Sequence, residues 1–214
     1  MLRPALIFDL DGTLMDPREG ITRCMRSALL RLDVVPPSDA DLECLIGPPL
    51  IDCFRTLLGD ERAAQGVLLF RECYGGGGMY ENELYPDIVE TLDALHTLSP
   101  ALFVATSKPR VYAEQILDRL SLRHYFRAIY GCELSGERAD KAELLTYLLQ
   151  GESLHRDAAV MIGDRKHDVV AARANGLRSV GVTWGFGSVD ELREACADTL
   201  CATTADLVRW YQSV

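Results

Sequence analysis

Five short apolar runs recur along the chain, and they constrain its fold more than any other feature. They lie at residues 5–8, 101–105, 128–130, 158–162 and 179–182. Apolar runs this short, without polar alternation, are typical of strands buried on both faces of a parallel sheet. Segments with apolar spacing near 3.6 lie between them, at residues 88–98, 110–120, 141–149 and 166–175. This alternation of strand and helix predicts an α/β fold with a doubly wound parallel sheet.

One long interval lacks this alternation. Residues 15–85 contain no convincing strand, and show amphipathic helical patterns at 20–32, 40–46, 50–58 and 61–74. Because this interval is too long for an ordinary connection between strands, it predicts an inserted α-helical cap domain. We therefore expect residues 1–14 and 86–214 to form an α/β catalytic core and residues 15–85 to form the cap. Four consecutive glycines at 75–78 are either a hinge or a tolerated loop.

The charge balance limits the partners that the protein can bind. The 214 residues carry 22 Lys and Arg against 32 Asp and Glu, a net charge of −10, and 48% of them are hydrophobic. That composition supports a globular core, and the lack of a basic run argues against binding to nucleic acid polymers or anionic membranes. An anionic substrate would need a local cation.

The apolar segments and the cysteines indicate the cellular compartment of the protein. No segment approaches the roughly 20 apolar residues of a membrane helix, and the N-terminal apolar run is too short for a signal peptide. We expect a soluble cytoplasmic protein. The seven cysteines form no CxxC pair, so we expect reduced thiols instead of disulfides or a zinc site.

Acidic residues follow two of the predicted strands. Asp9 and Asp11 come directly after the first strand, and Gly12 allows the chain to turn so that both carboxylates converge. Asp164 follows the strand at 158–162, and Asp168 lies one helical turn later. Clustered acids repel one another unless a divalent cation is present, and hard oxygen ligands suit Mg²⁺. The clustering therefore predicts a magnesium site formed by these four residues.

Two further strands end in residues that can bind an anion. Thr106, Ser107 and Lys108 follow the strand at 101–105, and a helix begins just after them. Hydroxyls and backbone N–H groups at a helix N-terminus can hold an anion. Lys141 begins the helix after the strand at 128–130. Capping alone does not explain four strand ends that carry acids, hydroxyls, a lysine and acids again.

These four motifs, in this order, resemble those of the haloacid dehalogenase superfamily of phosphohydrolases, which have a Rossmann-like core. The helical insertion lies between the first and second motifs, as in one cap class of that superfamily. The chain is most similar to the branch of phosphoglycolate phosphatases and 5′-nucleotidases, through residues 45–50, 105–109 and 163–188. One departure is Asp87, where relatives commonly have glycine after Pro86, which leaves the backbone geometry at this point open.

The resemblance implies roles for the site residues. Asp9 would attack phosphorus and form an aspartyl phosphate, while Asp11 would act as general acid and then base. Asp9, the backbone carbonyl of Asp11 and Asp164 would hold Mg²⁺, with Asp168 in support. The residues that would bind the substrate phosphate are Thr106, Ser107 and Lys141, with Lys108 as a further substrate contact. In the cap, Arg23, Arg26 and the turn at 47–49 are candidates for contact with the leaving group, although either arginine can equally be a surface charge.

We expect a small soluble phosphomonoester as substrate, and the resemblance does not choose between phosphoglycolate and a nucleoside 5′-monophosphate. The alternatives are a sugar-phosphate mutase of the same superfamily and a non-enzymatic, receiver-like phosphoacceptor domain. A receiver would not need the cap, and a dehalogenase would need neither Asp11 nor magnesium. The oligomeric state stays open.

Overall fold

A computed structural model describes residues 3–99 and 101–214. The chain forms a parallel sheet with helices on both faces and a helical insertion. The strands are β1 (Ala5–Phe8), β2 (Met15–Asp16), β3 (Glu83–Leu84), β4 (Leu102–Pro109), β5 (Ala128–Cys132), β6 (Ala159–Gly163), β7 (Arg178–Val182) and β8 (Thr199–Cys201). The helices are α1 (Arg18–Leu30), α2 (Asp39–Glu43), α3 (Leu50–Leu58), α4 (Asp60–Gly75), α5 (Ile88–Leu98), α6 (Arg110–Arg119), α7 (Lys141–Gly151), α8 (Lys166–Ala174), α9 (Val189–Glu194) and α10 (Thr204–Ser213).

The central sheet has six parallel strands in the order β5-β4-β1-β6-β7-β8. Alternate residues of β1 enter different hydrophobic cores, Leu6 and Phe8 one and Ala5 and Ile7 the other. All four are at most 3% exposed, as expected for a strand covered on both faces. The predicted fold class is confirmed. The strand order reverses at β1, where open α/β sheets bind their ligands.

The elements that the sequence did not predict are short or lie near the C-terminus. β2 and β3 form a two-residue antiparallel pair that joins Met15 to Leu84, inside the interval predicted to hold no strand. The prediction was wrong here because two residues carry no detectable periodicity. The strand β8 has only three residues and was not predicted for the same reason. The helices α9 and α10 were also not predicted.

The insertion between β2 and β3 consists of α1 to α4, and we call these helices and their loops the cap. The apolar faces of α3 and α4 meet through Phe54 and Phe70, whose rings are 6.2 Å apart and edge to face. Cys24 of α1 and Cys73 of α4 form a disulfide, with Cα atoms 5.5 Å apart. The expectation that every cysteine is a reduced thiol is therefore wrong for this pair. The packing of α1 on α4 joins residues 49 positions apart, and the spacing of the cysteines does not show this.

The chain returns from the cap to the core through the glycine tract and Asp87. Gly20 of α1 lies so close to the tract that a Cβ atom on it would be 2.1 Å from the carbonyl oxygen of Gly78. Asp87 has φ +59°, the left-handed region that favours glycine. Asp87 thus adopts a left-handed backbone conformation, so the absence of glycine after Pro86 does not prevent that geometry. Among the described helices, none is long and apolar enough to cross a membrane.

Candidate active site

Three buried carboxylates meet at the carboxyl edge of the sheet. Asp9 follows β1, Asp164 follows β6, and Asp168 lies in the first turn of α8. Each is at most 5% exposed, and one oxygen from each lies within 4.8 Å of the other two. The backbone N–H of Asp9 donates to the carbonyl of Ile162, 2.9 Å away, so the pairing of β1 with β6 fixes this geometry. Sequence analysis predicted a site of these three acids and Asp11; the fold brings the three together, while the carboxylate of Asp11 is not part of the group and pairs with Lys108.

Two glycines make this approach possible. A Cβ atom on Gly12 would lie 2.2 Å from Asp164 Oδ2, and one on Gly163 would lie 2.1 Å from Asp168 Cγ. The Thr13 hydroxyl donates to Asp164 Oδ1 at 3.3 Å. Because any side chain at either glycine would collide with a carboxylate, glycine after Asp11 and before Asp164 is a steric requirement of the site.

Lys141 links two of the acids. Its Nζ atom lies 2.9 Å from Asp9 Oδ1 and also forms an ion pair with Asp168 Oδ1. Burial by itself would lower the pKa of Lys141, but the charges of Asp168 and Asp9 raise it above its usual value. The ammonium group therefore stays protonated at neutral pH and places a positive charge beside the carboxylates of Asp9 and Asp168.

The electrostatics of the acids suit a divalent cation. Burial, followed by the charges of Asp168 and Asp9, raises the pKa of Asp164 to about 8. Burial also raises the pKa of Asp168 to about 6, against the opposing effect of Lys141. Asp9 Oδ1 and Asp168 Oδ1 are buried, and Lys141 is the one partner that either has among the described residues. A single ammonium does not balance three carboxylates, and their hard oxygen donors fit Mg²⁺.

The residues at the end of β4 lie beside this cluster. Thr106 is 2% exposed, and its hydroxyl accepts a hydrogen bond from the backbone N–H of Lys108 at 3.3 Å. Thr106, Ser107 and Lys108 line the same cleft as Asp9 and Asp11. Thr106 and Ser107 thus lie on the wall of the cleft that also contains Asp9.

Asp11 and Lys108 form a pair inside the cleft. Lys108 Nζ lies 2.8 Å from Asp11 Oδ1 and donates to the hydroxyl of Tyr74, a residue of α4 in the cap. Burial raises the pKa of the Asp11 carboxyl, and Lys108 opposes that effect. The lysine thus connects the acid at the sheet edge to a cap side chain, a link that sequence analysis did not predict.

A cleft separates the cap from these residues. Its cap wall is mostly apolar and aromatic, and it is formed by Ile21, Met25, Leu45, Ile46, Gly47, Pro48, Leu50, Phe70, Arg71 and Tyr74, with Tyr112 of α6 opposite. Sequence analysis singled out the turn at 47–49 but missed Arg71, Tyr74 and Tyr112. The spacing of Phe70 and Tyr74, four residues apart on one helix, is the one local signal, and it does not separate a cleft wall from a core face.

Arg23 and Arg26 lie outside the cleft. Arg23 forms a bidentate pair with Glu81, with N–O distances of 2.7 and 2.8 Å, and Arg26 pairs with Asp39. Both line a separate charged depression on the outer side of α1. The hypothesis that they contact the leaving group is therefore not supported, because their guanidinium groups are paired on the far side of the helix.

Comparisons with known proteins show which family the chain is similar to. The sequence model of the family described as haloacid dehalogenase-like hydrolase matches residues 6–182. A 5′-nucleotidase from Pseudomonas aeruginosa is 47% identical over 206 residues, which cover 95% of this chain and 93% of that protein. A protein named tyrosine-protein kinase PtkA from Mycobacterium tuberculosis is 33% identical over 95% of this chain and 70% of its own length. A crystal structure of a predicted phosphatase from Clostridium acetobutylicum superposes with a TM-score of 0.96, at 36% identity and over 100% of both chains.

Proposed function

The chain belongs to the haloacid dehalogenase-like hydrolase family and is a phosphatase, and we propose that it uses Mg²⁺ to hydrolyse nucleoside 5′-monophosphates through a phosphorylated Asp9. The observation that carries the proposal is the buried cluster at the sheet edge. There Asp9 contacts the ammonium of Lys141 and lies close to the carboxylates of Asp164 and Asp168. Asp9 also lines the cleft under the cap.

The carboxylates of Asp9 and Asp164 and the backbone carbonyl of Asp11 would hold the metal, with Asp168 in support. Their chemistry fits, because the oxygens are hard donors and the mutual repulsion of the acids favours a cation between them. When bound, Mg²⁺ supplies positive charge that neutralises the phosphate and the acids around it.

Side chains of the site would carry out nucleophilic attack, phosphate binding and proton transfer. An oxygen of Asp9 attacks phosphorus, while the Thr106 hydroxyl, the Ser107 N–H and Lys141 hold the phosphoryl oxygens. Asp11 donates a proton to the departing alkoxide oxygen. It then takes a proton from the water that attacks the aspartyl phosphate, so that inorganic phosphate leaves and Asp9 is restored. The raised pKa of Asp11 supports its role as a proton donor.

The cleft wall supports a nucleoside as the leaving group. Phe70, Tyr74 and Tyr112 line the cleft, and Tyr112, which is the only partly exposed ring of the three, offers a face on which a planar base can pack. Glycolate, the leaving group of phosphoglycolate, is small and anionic and would leave this apolar wall uncovered. The name of the Pseudomonas aeruginosa relative points in the same direction.

A substrate panel tests the proposal. Phosphate release would be measured for nucleoside 5′-monophosphates, phosphoglycolate, a sugar phosphate and a phosphotyrosine peptide, with Mg²⁺ and with excess chelator. We expect the highest kcat/KM for a nucleoside monophosphate and no turnover with chelator. A preference for phosphoglycolate would overturn the substrate class, and full activity in chelator would overturn the metal.

Two controls separate the competing chemistries. A mutase would convert a sugar 1-phosphate into its 6-phosphate faster than it releases inorganic phosphate, and we expect the reverse. Incubation with ATP and a tyrosine peptide tests the activity named for the mycobacterial relative, and we expect no phosphopeptide.

A further inference from the structure

Arg165 spans the boundary between the core and the cap. It directly follows Asp164, and its side chain is only 12% exposed. Its Nε donates to Glu191 Oε1 of α9 at 2.9 Å, and its Nη1 donates to the backbone carbonyl of Ile46 in the cap. One guanidinium therefore bonds to the core through a carboxylate and to the cap through a main-chain oxygen, across 119 positions of sequence.

The surroundings of Arg165 are shaped to admit its side chain. Gly47 has φ +114°, and a Cβ atom built on it would lie 3.2 Å from Arg165 Cγ. A Cβ atom on Gly187 would lie 3.3 Å from Arg165 Cδ. The aliphatic stem thus runs between two glycines, one in the cap and one in the core, and larger residues at either position would crowd it.

Glu191 fixes the orientation of the guanidinium. The same Oε1 atom that accepts from Arg165 also accepts from the backbone N–H of Lys166 at 2.9 Å. Burial by itself would raise the pKa of Glu191, but these hydrogen bonds lower it, so the carboxylate is charged at neutral pH. A charged partner makes the bond to Arg165 stronger than one between neutral groups.

The backbone of Arg165 contacts the acid cluster. The backbone N–H of Arg165 donates to Asp168 Oδ2 at 3.0 Å, within the capping box that begins α8. The cap residues that Arg165 reaches, Ile46 and Gly47, line the cleft. A single residue therefore connects the loop that carries Asp164 and Asp168 to the cap loop that covers the substrate.

We propose that Arg165 is a positioning residue for the phosphatase reaction, which fastens the cap loop at 44–49 over the cleft and is itself oriented by Glu191. The inference rests on the phosphatase activity, but not on which phosphomonoester is the substrate. Loss of a hydrogen bond from a charged donor changes an equilibrium by roughly 10- to 100-fold, and here the affected equilibrium is closure of this loop.

The test compares Arg165→Ala, Arg165→Lys and Glu191→Gln with the matched control Arg62→Gln. Arg62 also donates to a backbone carbonyl, that of Leu32, but donor and acceptor both belong to the cap. Circular dichroism establishes that each variant is folded. Hydrogen–deuterium exchange of the segment 44–50, in which every residue except Pro48 and Pro49 has an amide N–H, reports directly on the loop. It needs no substrate, so a wrong substrate assignment leaves this readout intact.

We expect faster exchange at 44–50 in Arg165→Ala, and a rise of about tenfold or more in KM for the best substrate with a smaller change in kcat. Lysine reaches one partner but not both, so Arg165→Lys should fall between the wild type and Ala. Glu191→Gln should resemble Arg165→Lys, and Arg62→Gln should match the wild type. If Arg165→Ala does not fold, Glu191→Gln carries the same test.

Two outcomes would overturn the proposal. One is unchanged exchange at 44–50 together with an unchanged KM in folded Arg165→Ala or Glu191→Gln. The other is a loss confined to kcat and to the Mg²⁺ concentration needed for half activity, because Arg165 would then act through Asp164 and Asp168 alone.

Discussion

The charged groups of the sheet edge and those of the cap are arranged in opposite ways. At the sheet edge, Lys141 and Asp9 are buried and contact one another in a single arrangement. On the cap, Arg31 pairs with Glu72 at the surface, where both side chains are at least half exposed. Surface pairs of this kind contribute about 0–1 kcal/mol, whereas removal of one member of a buried pair leaves an uncompensated charge. If the proposed function is right, we expect substitutions at the sheet edge to be far more damaging to turnover than substitutions of exposed charges on the cap.

The same substitution made at the sheet edge and on the cap gives the largest expected difference between the two regions. Asp9→Asn removes the proposed nucleophile, and we expect kcat to fall at least about 10³-fold while the circular dichroism spectrum is unchanged. Asp60→Asn on the cap, where the side chain is 91% exposed, should leave kcat unaltered. Steady phosphate release by a folded Asp9→Asn variant would remove Asp9 from its assigned role.

The acid cluster should also make stability depend on pH. The pKa of Asp164 is about 8 in the folded chain against an ordinary value of 3.8, so the folded state holds a proton that the unfolded state has lost. The free energy of unfolding of metal-free protein should therefore fall as the pH rises from about 4 to 8. Asp168, at about 6, acts in the same direction over the lower part of that range.

Urea unfolding at pH 6 and pH 8 in chelator measures this effect. Asp164→Asn should reduce the difference between the two pH values, and Mg²⁺ should restore stability at pH 8 in the wild type only. Equal stability of the metal-free wild type at both values would contradict the assigned electrostatics of the cluster.

The disulfide tests the stability of the cap. Cys24→Ser opens a covalent link between residues 49 positions apart, and we expect the free energy of unfolding to fall by about 2–4 kcal/mol. Cys44→Ser, at an exposed free thiol, is the matched control and should change little. In denaturant without reductant, five of the seven cysteines should react with a thiol reagent. Reaction of all seven would show that the pair is not bonded in solution.

The smallest effect is expected for a cleft residue of the cap. Arg71 donates to the carbonyl of Leu134 at 2.7 Å, while its buried Nε has no acceptor among the described residues. We expect the leaving group to provide one, so Arg71→Met should raise KM for the nucleotide about tenfold. Turnover of acetyl phosphate, which is too small to reach Arg71, should not change. An equal loss on both substrates would assign Arg71 to folding instead of selection.

Much of the core was predictable because its signals are local. The runs at 5–8 and 158–162 coincide with β1 and β6 to within one residue at each end, since burial on both faces demands uninterrupted apolar sequence. The helix at 50–58 has the predicted bounds for the same kind of reason, an apolar face repeated every three or four residues. β2 and β8 have two and three residues and contain no such repeat.

The candidate site also contains residues that the sequence predicted and contacts that it did not. The acids, hydroxyls and lysine at the strand ends could be predicted from the sequence, since parallel strands bring their carboxyl ends to one edge of the sheet. The contacts that depend on packing between distant segments, such as the bond of Cys24 to Cys73 and that of Arg165 to Ile46, could be found only in the folded chain. These contacts form where helix faces and loops meet, and the angle and depth of that packing depend on side chains throughout the interface. No local pattern in the chain records them.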